Sequence, residues 1–330
     1  MDRTAVDLTG WTPIRIDWDH QAPVVDWCRA DGIAFDDPFF DQTVERCFRH
    51  PFRLLFRHRT GMDEVARWAA GHPGLAPAGF VFHMSRCGST LVSRMLAALP
   101  AHLVVSEAPP VDWVLRSHHH APVPVDDATR ARWLQATLAA LGQPRDDRHR
   151  RLFVKFDAWA AVDLPLIRRT FPDVPCLFLF RDPVEVLVSQ EQRRGAHVVP
   201  GALPTEVLGV PSPETTGESL TDFAARALAR ICQAALAYAD DPMVTVADYR
   251  RLPGFVTTHL LPAWGVPVNG ADRARMLDSA GRDAKNPVLP FEADHERKRA
   301  AVTPAIDAAA RRWLTPIHGE LERLVDRVPR

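Results

Sequence analysis

One short stretch concentrates residues able to hold an anion. Gly79-Phe-Val-Phe-His-Met84 is an apolar run that reads as a strand over Phe80–Met84. It leads into Ser85-Arg86-Cys87-Gly88-Ser89-Thr90, and a helix is expected to follow at once over Gly88–Leu99. Backbone N–H groups at such a turn, and at the helix N-terminus behind it, converge on one spot where the helix dipole also favours negative charge. Gly88 permits close backbone approach, Ser89 and Thr90 offer hydroxyl donors, and Arg86 offers a bidentate cation. The chemistry is the binding of a phosphate-like group. An ATP-binding P-loop needs G-x-x-x-x-G-K-[ST]. Here His83 stands at the first glycine position and Ser89 at the lysine position, so ordinary kinase or ATPase chemistry is disfavoured.

A second anion element follows about 90 residues later. Arg181-Asp182-Pro183 leaves the apolar run Cys176–Phe180, which reads as a strand. Asp182 is placed to cap the next helix and Pro183 to occupy its first position. Ser189, eight residues after Arg181, projects from that helix, where its hydroxyl can share an anion with Arg181. Taken singly these residues have plainer roles: Ser89 and Thr90 as helix caps, Arg181-Asp182-Pro183 as a strand-to-helix connector, Ser189 as a surface serine.

The two elements together resemble the donor site of sulfotransferases that use 3′-phosphoadenosine-5′-phosphosulfate (PAPS). Ser85-Arg86-Cys87-Gly88-Ser89-Thr90 is similar to that family's 5′-phosphosulfate loop, with Ser85 in the usual proline position. Arg181 and Ser189 are similar to its 3′-phosphate signature, an Arg after a strand with a Ser eight residues on. The likeness covers Gly79 to about Arg194, a third of the chain. A looser one, at Gly281-Arg282-Asp-Ala-Lys285, is to the family's basic C-terminal loop and adds Arg282 and Lys285 as donor-binding candidates.

The resemblance implies in-line transfer of a sulfuryl group from PAPS to a hydroxyl or amine of a small or medium-sized acceptor, with 3′,5′-adenosine bisphosphate as product and no metal. Arg86 and the loop amides then neutralise developing charge. The acceptor needs a general base. Glu107 follows the expected strand Leu103–Ser106, at the sheet edge where open α/β folds bind ligands. Its rival is Asp157, in Lys155-Phe156-Asp157, which resembles the K-x-H element of cytosolic sulfotransferases with Asp in the His position. Glu107 is favoured, and Lys155 is expected near the transferring group. The plainer readings are a solvated carboxylate for Glu107, a helix cap for Asp157 and a structural ion pair for Lys155. Two other functions stay open: an atypical phosphotransferase using ATP and Mg²⁺, and a nucleotide-binding protein without turnover.

The elements that must position these residues alternate short apolar runs with amphipathic stretches. Strands are expected at Phe80–Met84, Leu103–Ser106, Leu152–Lys155, Cys176–Phe180 and Met243–Val246, and helices at Leu164–Phe171, Val184–Arg194, Leu220–Ala239 and Pro304–Val328. Strands without alternation are buried on both faces, as in a parallel sheet covered by helices. The fold class is therefore α/β, a three-layer sandwich with a central parallel sheet, P-loop-like by resemblance. Residues 1–75 are expected to form a helical N-terminal extension, with helices at Asp41–Phe48 and Met62–Ala70, packed on an α/β domain at 76–330. Val198–Ser219, rich in Pro, Gly and Thr, reads as a long loop.

Composition limits the partners. The chain has 330 residues, 46% hydrophobic and 25% charged, as in ordinary globular proteins. Forty basic residues against 41 acidic ones leave a formal charge of −1, so nucleic acid is not expected as a partner. Only Lys155, Lys285 and Lys298 are lysines, so an anion site would rest mainly on guanidinium groups. Five scattered cysteines without a C-x-x-C pair argue against disulfides and zinc. MDRTAVDLTG lacks the basic region and apolar run of a signal peptide, and no apolar stretch approaches the roughly 20 residues that span a bilayer. A cytoplasmic protein without membrane partners is expected, with a homodimer compatible. Cys87 lacks a matching His–Asp set, and His118-His119-His120 do not converge on one metal ion; they are expected to line the acceptor pocket or face solvent.

Overall fold

In this computed structural model residues 6–286, 288–292 and 294–325 are described. The first strand, Trp11–Asp19 (β1), pairs antiparallel with Ala22–Arg29 (β2), with Asp19 opposite Ala22. The hairpin turns through His20, whose φ of 55° is tolerated at a turn. His58–Gly61 (β3) adds antiparallel to β2, giving a three-stranded sheet in the order β1-β2-β3. The segment expected to be helical thus also carries a sheet. The expected helices are present at Phe40–Phe48 and Met62–Gly71, with a short one between them at Pro51–Leu55.

The other five strands are Pro77–His83 (β4), His102–Ser106 (β5), Arg151–Lys155 (β6), Cys176–Phe180 (β7) and Val244–Asp248 (β8). They form the central sheet of an α/β fold in the order β5-β6-β4-β7-β8, with β5–β6 and β7–β8 paired in parallel. Every residue of β5 and β7 is buried, which explains why these strands are unbroken apolar runs.

The chain divides into two compact units: Met1–Phe80 with Ser93–Phe156 and Leu166–Val174, and Val81–Val92 with Asp157–Pro165 and Pro175–Arg330. Each is discontinuous in sequence. In the first unit the helices Pro109–His120 and Asp127–Leu141, which the sequence reading did not single out, pack on each other and on β1. The Asp126 carboxylate caps the second by accepting from the Thr129 N–H at 2.8 Å. Helix Ser89–Ala97 follows β4. In the second unit helix Pro183–Gln192 follows β7, and Leu220–Leu236 packs against the 3₁₀ turn Ala158–Asp163. The expected loop at 198–219 contains two short helices, Thr205–Leu208 and Pro213–Thr216. The C-terminal helix runs from Pro304 to Val325 through a π turn at Ala310–Leu314; its expected continuation to Val328, like the first five residues, lies outside the described residues. No helix among the described residues is long and apolar enough to cross a membrane.

Candidate functional site

The loop after β4 has the backbone of an anion cradle. Ser85, Arg86 and Gly88 take φ values of 77°, 52° and 89°. Two of the three are not glycine, and a non-glycine residue held in the left-handed region costs about 1–3 kcal/mol. Hydrogen bonds offset that strain. The Ser85 N–H donates to His83 Nδ1 at 3.0 Å, Gln190 Nε2 donates to Ser85 Oγ at 3.0 Å, and Cys87 Sγ donates to the Leu179 carbonyl at 3.1 Å. The buried Cys87 is therefore a framework residue. The helix opens at Ser89, and both Ser89 and Thr90 are buried.

Arg86 turns from this loop to the helix after β7, where its Nε donates to Ser189 Oγ at 2.7 Å. Ser189 thus bonds to Arg86, while Arg181 has its own set of partners. Its Nε donates to Glu185 Oε2 at 2.6 Å and its Nη2 to Asp294 Oδ1 at 2.8 Å. The capping prediction holds, since Asp182 Oδ1 accepts from the Glu185 N–H at 3.0 Å and Pro183 opens the helix.

Tyr249, which follows β8, joins the two anion elements. A Cβ on Gly88 would lie 2.6 Å from Tyr249 Cδ2, so only glycine lets the ring pack there. The same ring lies 4.1 Å from the Arg181 guanidinium carbon, in cation–π contact. Sequence reasoning missed Tyr249; its signal was rarity, as one of only two tyrosines in the chain.

Electrostatics tie the group further. Burial lowers Arg86 from the ordinary arginine range and the Arg193 charge lowers it more, while Asp294 pulls the other way. Burial would also lower Arg181, but the hydrogen bond and charge of Asp294, with Glu185, outweigh it and raise the group. The Asp294 carboxylate thus acts on both arginines. Its second oxygen meets Lys298 Nζ at 2.8 Å. The lysine of this cluster is Lys298. Arg282 and Lys285 lie exposed on a turn where Arg282 bridges to Pro290 and Asp283 Oδ1 accepts from the Lys285 N–H at 2.9 Å.

The candidate bases fall in different units. In the first, Ser106 of β5 stands opposite Lys155 of β6, and the Glu107 N–H donates to the Lys155 carbonyl at 2.7 Å. Glu107 takes a φ of 53°, and its carboxylate forms an ion pair with Lys155 Nζ. The Lys155 side chain is 1% exposed and that of Glu107 23%, so the carboxylate is the member open to solvent. The ammonium also lies 5.0 Å from the Phe39 ring centroid. In the second unit Asp157 stands at the N-cap position of Ala158–Asp163, but its carboxylate makes no capping bond.

Other candidates have structural partners. The His118 and His119 rings meet in a tilted contact with centroids 3.7 Å apart, and His120 Nδ1 accepts from Trp18 Nε1 at 3.0 Å. All five cysteines are buried and none is in a disulfide. Among the described residues Asp248, His318 and Glu322 have metal-like spacing, yet the Arg250 guanidinium already bridges the two carboxylates at 2.6 and 2.7 Å.

No protein-family model and no curated protein matches the chain. Solved structures similar to it include several sulfotransferases. One from Mycobacterium avium has a TM-score of 0.45 at 15% identity, over 78% of this chain and 80% of that one. One from Alicyclobacillus acidocaldarius has 0.42 at 15%, over 77% and 97%. A mouse sulfotransferase complexed with PAP has 0.41 at 10%, over 81% and 94%. Likeness at this level leaves activity to be argued from the chain's own residues.

Proposed function

We propose that the chain is a sulfotransferase that moves a sulfuryl group from PAPS to a hydroxyl or amine of a small or medium-sized acceptor. The observation that carries this reading is the convergence of two anion elements on Tyr249, whose ring touches Gly88 of the loop and Arg181 after β7. An adenosine donor with phosphates at both the 5′ and 3′ positions needs two anion sites close together; a nucleoside triphosphate needs one site, a lysine and Mg²⁺. The loop has no lysine, which favours the former.

In this reading the amides at Gly88–Thr90 and the Arg86 guanidinium hold the 5′-phosphosulfate, and Arg181 takes the 3′-phosphate. The sulfur–oxygen bond to the 5′-phosphate breaks as one to the acceptor forms, and 3′,5′-adenosine bisphosphate departs. Arg86 and the loop neutralise charge on the leaving oxygen, the main catalytic work in such loose in-line transfers. Glu107 is the stronger candidate for the base that takes the acceptor's proton, because Lys155 fixes its carboxylate. The test is ³⁵S transfer from labelled PAPS into acceptors of a cell extract. Labelled small molecules appearing with the active chain and not with Arg86→Ala support the reading; equal labelling from both would overturn it.

A further inference from the structure

Two buried cations in the second unit share one carboxylate. Asp294 Oδ1 meets Arg181 Nη2 at 2.8 Å and its Oδ2 meets Lys298 Nζ at 2.8 Å. The Arg181 and Lys298 side chains are 8% and 6% exposed; Asp294 is 28% exposed. Glu185, the other carboxylate on Arg181, is 8% exposed and is fixed by its place in the first turn of the helix Pro183–Gln192 and by contact with His295. Glu185 is thus part of the frame, and Asp294 is the anion at the mouth.

The charges define what this arrangement can accept. Arg181 and Lys298 face Glu185 and Asp294, two cations against two carboxylates. A phosphate dianion added to it would leave two uncompensated negative charges beside buried groups, which is costly. The same dianion in place of Asp294 would keep both cations paired and leave one. Burial, with the Arg181 charge, holds Lys298 below the ordinary lysine range, and Asp294 offsets this only in part.

Resting on the proposed use of a bisphosphorylated donor, we propose that Arg181 and Lys298 form a seat for a phosphate group and that Asp294 is its resident anion, exchanged for phosphate when ligand binds. The assignment adds Lys298 to the donor-binding residues and makes Asp294 a built-in competitor that lowers donor affinity.

Calorimetric titration of the full chain with inorganic phosphate, and separately with 3′,5′-adenosine bisphosphate, tests this. Asp294→Asn keeps the size but removes the charge and one of the two acceptor oxygens, and should bind phosphate at least tenfold more tightly than the parent. Lys298→Met should weaken phosphate binding in either background. Equal or weaker phosphate binding by Asp294→Asn would overturn the exchange. Carbon NMR of the Asp294 carboxylate in the unaltered chain gives a second test: its signal should move on phosphate addition, and a signal fixed at saturating phosphate contradicts the proposal. If Asp294→Asn tightens phosphate while neither protein binds the bisphosphate, the seat stands and the proposed function fails.

Discussion

Arg86 donates its Nε proton to Ser189 Oγ at 2.7 Å, joining the loop after β4 to the helix after β7 across 103 positions of sequence. The bond holds the guanidinium at the edge of the anion cradle before any ligand arrives, so little side-chain freedom remains to be lost on binding.

Arg86→Ala removes the cation and Ser189→Ala only its orientation. A charge-assisted hydrogen bond is worth about 1.5–3 kcal/mol, so Arg86→Ala should lower kcat/KM at least tenfold. Ser189→Ala loses a single bond to the arginine and should cost roughly fivefold, or about 1 kcal/mol. The double variant should resemble Arg86→Ala alone, because the serine acts through the arginine. Steady-state kinetics on the three variants checks this.

Gly88→Ala should abolish donor binding by two routes. The new methyl would lie 2.6 Å from the Tyr249 ring, and the backbone φ of 89° is strained for alanine. Tyr249→Ala opens space for the methyl but leaves the strain. Gly88→Ala with Tyr249→Ala should therefore recover part of the thermal stability lost by Gly88→Ala, read by calorimetry, without recovering donor affinity.

The Glu107–Lys155 pair should respond asymmetrically. Glu107→Gln strands an ammonium whose side chain is 1% exposed, whereas Lys155→Met leaves a carboxylate that is 23% exposed and can reach water. Breaking a buried pair from its exposed side costs about 3–5 kcal/mol. Glu107→Gln should then lower the Tm more than Lys155→Met does, and it should also lower kcat in single-turnover assays while leaving bisphosphate affinity intact. Asp157→Asn should retain most activity.

Acid sensitivity should include Asp294. Burial raises this carboxyl, but the bonds from Lys298 and Arg181 outweigh it and hold its pKa below the ordinary 3.8. A carboxyl depressed in the folded state adds stability above its unfolded pKa and loses it as pH falls through the folded value. Asp294→Asn should therefore show a shallower loss of stability below about pH 4 than the parent, measured by denaturant unfolding across pH.

The sequence made the parallel core legible because β5 and β7 are buried on both faces and appear as unbroken apolar runs. The anion loop was legible because glycine, hydroxyls and arginine between a strand and a helix have few other uses. The β1–β2 hairpin was not, since its polar and aromatic residues mix with charge and its turn at His20 carries no glycine or Asn-Gly signal. Partner choice was hidden for a different reason. Ser189 could reach either arginine by spacing alone, and which of three lysines joins Arg181 depends on where the segment around residue 294 folds back. Such contacts are set by tertiary placement, to which local pattern is blind.

The claim that two anion elements grip one donor is tested most directly by calorimetry with 5′-AMP, 3′-AMP and 3′,5′-adenosine bisphosphate. The bisphosphate should bind the unaltered chain more tightly than either monophosphate. Arg86→Ala should erase the contribution of the 5′-phosphate alone, and Arg181→Ala that of the 3′-phosphate alone. A bisphosphate that binds no better than 5′-AMP, or a chain that takes only ATP with Mg²⁺, would contradict the account.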